Sequence, residues 1–239
     1  MRFDVVTIFP SMFDRVFDQG VVGKARQAKL GSSTLLNFQI HNLRDYTETK
    51  HQIVDDAPFG GGGGLIFKME PLVKALRAIR DPNVKSRSIL MSPRGRVLTH
   101  EIAQELCTSY EQIILFCGRY EGVDERFKEY IDEELSIGDF ILSGGEIAAM
   151  AVCDAVSRFV PGVVGQEEAP YQDSFSDGLL EHPTYTRPAT FEGKAVPEVL
   201  LSGNHAQIQA WRQAQKLNTT LQRRPDLLKK IRKQDYESP

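Results

Sequence analysis

Two glycine-bearing turns, each after a short apolar run, are the part of the sequence best suited to binding a ligand. The first run, Gln112–Phe116, breaks at Cys117-Gly118, and the second, Leu135–Leu142, breaks at Ser143-Gly144-Gly145. Apolar runs of this length are typical of buried parallel strands, and open α/β sheets bind ligands outside the carboxyl ends of such strands. Because glycine lets a ligand approach the backbone closely, the two turns predict a shared pocket, although ordinary strand–helix connections have the same pattern.

The common nucleotide-binding signatures are missing from the chain. Five consecutive glycines, Gly60–Gly64, are followed by Leu65-Ile66, where a P-loop would have Lys and Ser or Thr. No G-x-G-x-x-G opens a helix, which argues against a Rossmann dinucleotide site and against Rossmann-type methyltransferases. The segment Asn42–Gly64 has neither a helical nor a strand period, and it is interpreted as a ligand-contacting loop or a flexible linker.

The pattern of apolar residues predicts an α/β domain with a mainly parallel sheet, followed by a small helical domain. Besides the two runs above, strands are predicted at Arg2–Phe9, Ser33–His41 and Ser88–Met91. The predicted helices are Met12–Asp18, Val21–Leu30, Lys68–Ile79, Glu101–Cys107, Glu146–Arg158, Asn204–Leu221 and Arg224–Lys233. The polar segment Gly162–Ser176 lacks any period and is predicted to link the domains.

Length and composition indicate an ordinary globular protein. The chain has 239 residues, 41% of them hydrophobic and 26% charged, enough for one large domain or two small ones. No apolar run approaches the roughly 20 residues of a membrane span, and no signal peptide is expected. Cys107, Cys117 and Cys153 suit neither a disulfide framework nor a zinc cluster. These features predict a cytoplasmic protein without a membrane partner.

Charge is unevenly distributed along the chain. Between Cys117 and Glu146 there are nine acidic residues against three basic ones, whereas between Asn204 and Lys233 there are eight basic residues against one acid. The basic stretch is consistent with a tail that binds a polyanion, and equally with a solvated basic helix face.

Six motifs occur in order along the chain. They are SPRG (Ser92–Gly95), CGRYEGVDER (Cys117–Arg126), SIGDFILSGGE (Ser136–Glu146), DSFSDGLLEHP (Asp173–Pro183), YTRP (Tyr185–Pro188) and LLSGNH (Leu200–His205). Together they closely resemble the bacterial tRNA (guanine-N1)-methyltransferase family of SPOUT methyltransferases. The resemblance implies methylation of N1 of guanosine 37 in tRNA, with S-adenosylmethionine as the methyl donor. The chain departs from the family's G-G-G-P-G-M loop at Gly63 and Leu65, which is expected to loosen that loop.

The resemblance also implies an architecture. It is a SPOUT-type α/β core with a parallel sheet and a deep trefoil knot, followed by a small all-helical C-terminal domain. The expected boundaries are a methyltransferase domain at 1–160, a flexible linker at 161–176 and a tRNA-binding domain at 177–239. Family members are homodimers whose active site is built by both subunits, and they are described as using Mg²⁺, although the sequence has no recognisable carboxylate cluster for it. DNA is not an expected partner.

The resemblance assigns functional roles to the residues of this chain that match the family motifs. Asp173 is implied as the general base and Arg158 as its support. The residues implied to hold the methyl donor are Met91, Ser92, Pro93, Gly118, Glu121, Ile137, Gly138, Asp139, Phe140, Ile141, Leu142, Gly144 and Gly145. Those expected to contact tRNA are Asp55, Gly60, Gly61, Arg187, Arg212, Lys216, Arg223 and Arg224.

Other interpretations of the same residues remain. Asp154 and Arg158 have the i, i+4 spacing of a helix ion pair, and Asp173-Ser174 could cap a helix. A SPOUT enzyme that methylates ribose or rRNA is a related alternative, and an RNA-binding protein that keeps the donor pocket as a ligand sensor is a non-enzymatic one.

Overall fold

A computed structural model describes residues 1–30, 33–166 and 168–229 of the chain. The chain divides into two compact units, with the boundary between residues 167 and 168. The strands are β1 (Arg2–Thr7), β2 (Lys29–Leu30), β3 (Ser33–Thr34), β4 (Asn37–Asn42), β5 (Asp55–Asp56), β6 (Ile66–Phe67), β7 (Ser86–Val97), β8 (Gln112–Cys117), β9 (Glu133–Ser136), β10 (Thr190–Phe191) and β11 (Lys194–Ala195). The α-helices are α1 (Gly20–Gln27), α2 (Met69–Ile79), α3 (His100–Ser109), α4 (Glu146–Ser157), α5 (Glu198–Leu201) and α6 (His205–Arg223).

A five-stranded parallel sheet in the order β4-β1-β8-β7-β9 forms the centre of the first unit. All six residues of the central strand β8 are buried, as its continuous apolar sequence predicts. Two hydrophobic cores cover the faces of the sheet, one containing residues of α1, α3 and α4 and the other containing residues of α2. The prediction of an α/β domain with a mainly parallel sheet is confirmed.

Strand β7 contains a bulge at the residues of the SPRG motif. Leu135 on β9 pairs with both Met91 and Arg96, so the residues between them are extra in the ladder. A Cβ added at Gly95 would lie 2.3 Å from the backbone of Glu134, and therefore glycine is required at this position. The bulge begins after Met91, which pairs with Cys117, the last residue of β8, so Ser92–Arg94 lie next to the carboxyl end of β8.

Several predicted elements match the structure closely. Predicted helix Lys68–Ile79 corresponds to α2, and Glu101–Cys107 lies within α3, whose N-cap Thr99 accepts a hydrogen bond from the Ile102 amide at 3.3 Å. Predicted helix Asn204–Leu221 corresponds to α6, and the N-cap Asn204 accepts from the Gln207 amide at 3.2 Å. These helices have a strong cap or a clear apolar face, which explains the agreement.

Other predicted elements differ from the structure. Met12–Asp18 is not a helix: a 3-10 turn, Pro10–Phe13, is followed by Asp14 with extended ψ and by Arg15 with φ of 65°. The segment is too short to offset the cost of helix nucleation. Likewise Val21–Leu30 is helical only to Gln27, because Lys29-Leu30 pairs with Ser33-Thr34.

The apolar run Leu135–Leu142 is a strand only as far as Ser136. The Ser136 hydroxyl accepts a hydrogen bond from the Gly138 amide at 3.1 Å, and Gly138 has φ of 146°. This local bond competes with the sheet ladder and turns the chain six residues earlier than the sequence pattern suggested. Ile137–Leu142 therefore belongs to a loop.

The second unit contains α5, α6 and a two-stranded hairpin, β10–β11. The prediction of an all-helical unit is therefore wrong. Glu192 and Gly193 both have positive φ, which favours the tight turn that joins two antiparallel strands. The predicted helix Arg224–Lys233 is helical over residues 225–229, and its remainder lies outside the described residues.

Candidate active site

A cavity of about 370 Å³ lies at the carboxyl ends of β8 and β9, beside the bulge of β7. Three segments line it: the bulge of β7, the turn after β8 and the long loop after β9. Twelve of the thirteen residues predicted to hold the methyl donor lie in its wall: Met91, Ser92, Pro93, Gly118, Glu121, Ile137, Gly138, Phe140, Ile141, Leu142, Gly144 and Gly145. The remaining residue, Asp139, is exposed and is not part of the lining. The structure thus brings together residues that are far apart in sequence.

Gly145 fixes the contact between two of the lining loops. Its amide donates to the Gly118 carbonyl at 2.9 Å. A Cβ added at Gly145 would lie 2.8 Å from Cys117 Cα and 3.0 Å from Met91 Cβ, so any side chain would force the loops apart. The backbone of the turn can therefore approach both β7 and β8, as the glycine pattern predicted.

Glu146 and Thr7 are buried, and the half-buried Arg119 joins them to the cavity wall; the three side chains are here called the Glu146 cluster. Glu146 is 1% exposed, accepts a hydrogen bond from the Thr7 hydroxyl at 2.8 Å and pairs with Arg119 Nε at 3.0 Å. Arg119 also donates to the Ser143 carbonyl at 3.2 Å, and its guanidinium lies 4.7 Å from the centre of the Phe9 ring. One buried carboxylate thus ties the end of β1 to two loops that line the cavity.

Cys117, directly below the first glycine turn, is unsuited to act as a nucleophile. Burial raises the pKa of the Cys117 thiol well above its ordinary value, and the nearby Glu146 carboxylate raises it further. The thiol therefore stays protonated, and a protonated thiol is a poor nucleophile.

The glycine-rich segment is the tip of a hairpin rather than a structureless loop. Asp55 pairs with Phe67, so β5 and β6 close the loop that contains Gly60 and Gly61. Both glycines are exposed and have positive φ. The hairpin contacts the turn that follows β8, because the Glu121 amide donates to the Leu65 carbonyl at 3.0 Å. Asp55, Gly60 and Gly61, predicted to contact RNA, therefore belong to a hairpin hydrogen-bonded to the edge of the cavity.

The two residues implied in catalysis lie in different units of the chain. Arg158 is the C-cap of α4, and its amide donates to the Asp154 carbonyl at 3.3 Å. Asp173 lies in the second unit, immediately after a 3-10 turn at Ala169–Tyr171, and it is half-buried. Their proposed roles stay predictions.

A second cavity, of about 500 Å³, lies within the second unit. Its wall includes Arg187 and Arg212, both predicted to contact tRNA, together with the rings of His182, Tyr185 and Trp211. The centres of the Tyr185 and Trp211 rings are 6.4 Å apart. The wall contains no acidic residue, so it combines aromatic surface with positive charge.

The other basic residues of α6 differ in their surroundings. Arg223 is exposed at the last turn, and Arg224 is exposed and paired with Asp226 at 2.8 Å. Lys216, by contrast, is only 7% exposed and forms an ion pair with Asp177, so its prediction as a phosphate contact is wrong. In the sequence, Lys216 lies among polar residues of α6. In the structure, Asp177, which is 39 positions away, pairs with it.

Over residues 1–30, 33–166 and 168–229, no group of three or more His, Cys, Asp or Glu side chains is arranged to hold a metal ion. In the same ranges, no helix is both long and apolar enough to cross a bilayer.

Sequence reasoning did not identify the Glu146 cluster. Thr7 and Glu146 are 139 positions apart, and neither carries a signal of the contact. The only local sign was the glutamate directly after the second glycine turn, at the start of a helix, where acidic residues are common.

Comparison with known proteins gives a consistent result. The family model described as tRNA (Guanine-1)-methyltransferase TrmD matches residues 1–230. A protein of Syntrophotalea carbinolica called tRNA (guanine-N(1)-)-methyltransferase is 51% identical over 230 residues, 96% of this chain and 91% of the relative. Proteins with the same name from Geotalea uraniireducens and Dehalococcoides mccartyi are each 49% identical, covering 95% and 97% of this chain and 90% and 92% of the relatives.

Proposed function

The chain belongs to the tRNA (guanine-1)-methyltransferase family, and we propose that it transfers a methyl group from S-adenosylmethionine to N1 of guanosine 37 in tRNA. The cavity at the carboxyl ends of β8 and β9 carries this proposal, because it gathers the residues of three separate family motifs. That position is where open α/β sheets bind their ligands.

The wall of the cavity fits the methyl donor. A volume of about 370 Å³ lies within the range of about 300–1,000 Å³ that small-molecule sites occupy. Ile137 and Leu142 offer apolar contact for a purine, and Glu121 offers a carboxylate for a cationic group. The peptide groups at Gly118 and Gly144 offer donors and acceptors for an adenine edge. When bound, the donor supplies an electrophilic methyl group attached to a positively charged sulfur.

The chain's own residues provide the proton chemistry in this proposal. In neutral guanine, N1 carries a proton, so the carboxylate of Asp173 accepts that proton as the bond from N1 to the methyl carbon forms and the bond from sulfur to the same carbon breaks. Negative charge that develops towards O6 is stabilised by the guanidinium of Arg158. The proton ends on Asp173, and the positive charge of the donor is lost.

Guanosine must leave the anticodon loop stack to present its N1, as bases modified by enzymes generally do. The glycine hairpin supports this step, since Asp55, Gly60 and Gly61 lie on a loop that is hydrogen-bonded to the Glu121 turn. An Asp55→Ala protein should bind tRNA more weakly and transfer the methyl group more slowly, with donor affinity unchanged.

The second unit supplies the proposed tRNA surface. Arg187 and Arg212 flank aromatic rings in its cavity, which suits an unpaired base and the phosphates beside it. Arg223 and Arg224 extend the positive charge along the same unit. We assign residues 177–239 to tRNA binding, residues 161–176 to the linker and residues 1–160 to the methyltransferase domain.

The proposal includes a homodimer and the trefoil knot of the family. Ile141 at the cavity and Ile147 on α4 are large apolar side chains exposed on the first unit, which supports their burial against a second copy. The three lining loops, which return to one end of the sheet, are consistent with a knotted carboxyl half.

Methyl transfer from labelled S-adenosylmethionine tests the proposal. Unmodified tRNA transcripts with guanosine or adenosine at position 37 are compared for the wild type, Asp173→Ala and the control Asp14→Ala, which removes an exposed carboxylate of the first unit. The expected result is transfer to guanosine alone, slowed at least about 100-fold by Asp173→Ala and retained by the control. Equal transfer to both transcripts would favour another SPOUT activity, and donor binding without any transfer would favour an RNA-binding protein.

A further inference from the structure

Two buried polar side chains of α6 hold the segment that carries Asp173. Lys216 is 7% exposed and Thr220 is fully buried, although most of α6 is exposed. Lys216 Nζ forms an ion pair with the Asp177 carboxylate. Because buried polar groups require partners, a lysine and a threonine one turn apart on the same helix indicate a specific attachment.

Thr220 provides the second attachment. Its hydroxyl accepts a hydrogen bond from the Leu180 amide at 2.8 Å and donates to the Lys216 carbonyl at 2.7 Å. The donation back to α6 orients the hydroxyl so that its lone pairs face Leu180. The segment is therefore tethered to α6 at Asp177 by charge and at Leu180 by a backbone bond.

Internal hydrogen bonds connect these two tethers to Asp173. The Ser176 amide and hydroxyl both donate to the Asp173 carbonyl, at 3.2 and 2.7 Å. The Phe175 amide donates to the Leu179 carbonyl at 2.7 Å, which closes a turn around Asp177 and ends one residue before Leu180. Displacement of Asp177 or Leu180 therefore moves the backbone of Asp173 as well.

We propose that Lys216 and Thr220 are positioning residues that fix the Asp173 carboxylate for proton transfer from guanine. This inference rests on the proposed function, in which Asp173 is the base. Arg212 and Arg223, proposed to contact tRNA, lie on the same helix. Helix α6 thus links the proposed tRNA surface to the placement of the base within one rigid element.

The Thr220→Val and Thr220→Ser pair tests the second tether. Valine has the shape of threonine without the hydroxyl, and serine restores the hydroxyl. Because small displacements of a catalytic group slow a reaction strongly, the single-turnover rate at saturating donor and tRNA should fall about tenfold in Thr220→Val and stay near wild type in Thr220→Ser. Dissociation constants for donor and tRNA should stay within about twofold of wild type. A merely structural role would lower the melting temperature without changing this rate at a temperature where the variant is folded.

Lys216→Met tests the first tether, with Lys229→Met as the control for the loss of one positive charge. Methionine keeps the apolar stem in the buried position, and it leaves Asp177 partly in water. Lys229 is exposed in the same unit. A rate that falls about tenfold in Lys216→Met alone supports the tether, whereas equal losses in both variants would assign the effect to general RNA electrostatics and overturn it.

A double-mutant cycle with Asp173→Ala decides whether the tether acts through the base. Thr220→Val should slow the wild type but have no further effect on the residual rate of Asp173→Ala. Full additivity, or a wild-type rate in Thr220→Val itself, would overturn the positioning role while leaving Asp173 as the base. An unchanged rate in Asp173→Ala would instead overturn the base assignment, and the tether with it.

Discussion

Two buried carboxylates of the first unit, Asp4 on a strand and Glu146 at the start of α4, are each paired with an arginine but have different surroundings. Asp4 is fully buried on the face of the sheet that α2 covers. It is hydrogen-bonded to Arg2, His41 and Gln112, each at 2.8 Å, a set here called the Asp4 cluster. All four side chains come from the strands β1, β4 and β8, and Gln112 also donates to the carbonyl of Ile79, the last residue of α2, at 3.0 Å.

The Glu146 cluster has one partner on a strand and one on a loop. Thr7 is the last residue of β1, whereas Arg119 belongs to the turn that lines the cavity. From these partners we infer that Asp4, held by strand side chains, stabilises the sheet, whereas Glu146, held in part by a loop side chain, fixes the shape of the cavity. Variants of the Asp4 cluster should therefore lower mainly the free energy of unfolding, whereas variants of the Glu146 cluster should weaken mainly the binding of the methyl donor.

The largest effect is expected for Asp4→Ala. This change removes the acceptor of the Arg2 guanidinium and one of the two acceptors of the buried Gln112 amide, which should lower the free energy of unfolding by about 3 kcal/mol. Donor affinity should stay within about twofold of wild type, because the cluster does not contact the cavity. Urea denaturation and calorimetric titration with S-adenosylmethionine measure the two quantities, with Asp14→Ala as the exposed control. A large loss of donor affinity would contradict the separation of the two clusters.

Gly145→Ala should act mainly on the cavity. The added Cβ would lie 2.8 Å from Cys117 Cα, so the turn must shift, and strain of about 2 kcal/mol corresponds to donor binding weakened about 30-fold. The matched control is Gly165→Ala, since a Cβ at Gly165 meets nothing within 4 Å and its φ is not positive. Equal donor affinity in both variants would show that the close approach at Gly145 is not needed for binding.

Glu146→Gln separates charge from shape in the Glu146 cluster. Glutamine keeps the size of the side chain and one acceptor, but it removes the negative charge that faces Arg119. Since hydrogen bonds between charged groups are about twice as strong as neutral ones, donor binding should weaken about tenfold as Arg119 and Ser143 become less fixed. The unfolding free energy should change less than in Asp4→Ala. Unchanged donor affinity would mean that the cluster serves stability alone, as the Asp4 cluster does.

Sequence patterns predicted those elements whose determinants are local. The apolar run of β8, the apolar face of α2 and the glycine turns at Gly118 and Gly145 all lie where the sequence indicated. Each depends on residues within one or two turns of the chain, or on a backbone requirement that only glycine meets. The position of the cavity at the glycine turns followed from these elements.

Contacts between distant residues were not predictable in the same way. The polar residues around Lys216 on α6 gave no sign that Asp177, 39 positions away, would pair with it. Asp4 lies inside an apolar run whose sequence does not reveal its partners on β4 and β8. In each case the deciding partner is brought by the tertiary fold, which no local period encodes.

The smallest effect expected is a pH dependence that isolates the Asp4 cluster. Burial alone would raise the pKa of Asp4, but the hydrogen bonds from His41, Arg2 and Gln112 outweigh burial and hold this pKa below its ordinary value. A carboxyl with a lower pKa in the folded state stabilises the fold above its unfolded pKa, and this contribution is lost as pH falls through the folded pKa. The unfolding free energy of the wild type should therefore decrease below about pH 5.

Asp4→Ala should show a flatter decrease over the same pH range, so that its stability approaches that of the wild type in acid. Burial would likewise raise the pKa of Asp132, but the hydrogen bonds from Ser88 outweigh it and lower this pKa, in both proteins alike. The difference between the two curves therefore reports Asp4 rather than the remaining acids. Urea denaturation at a series of pH values measures it. Parallel curves would mean that Asp4 does not hold its charge through its strand partners, and the contrast with the Glu146 cluster would then lie in geometry alone.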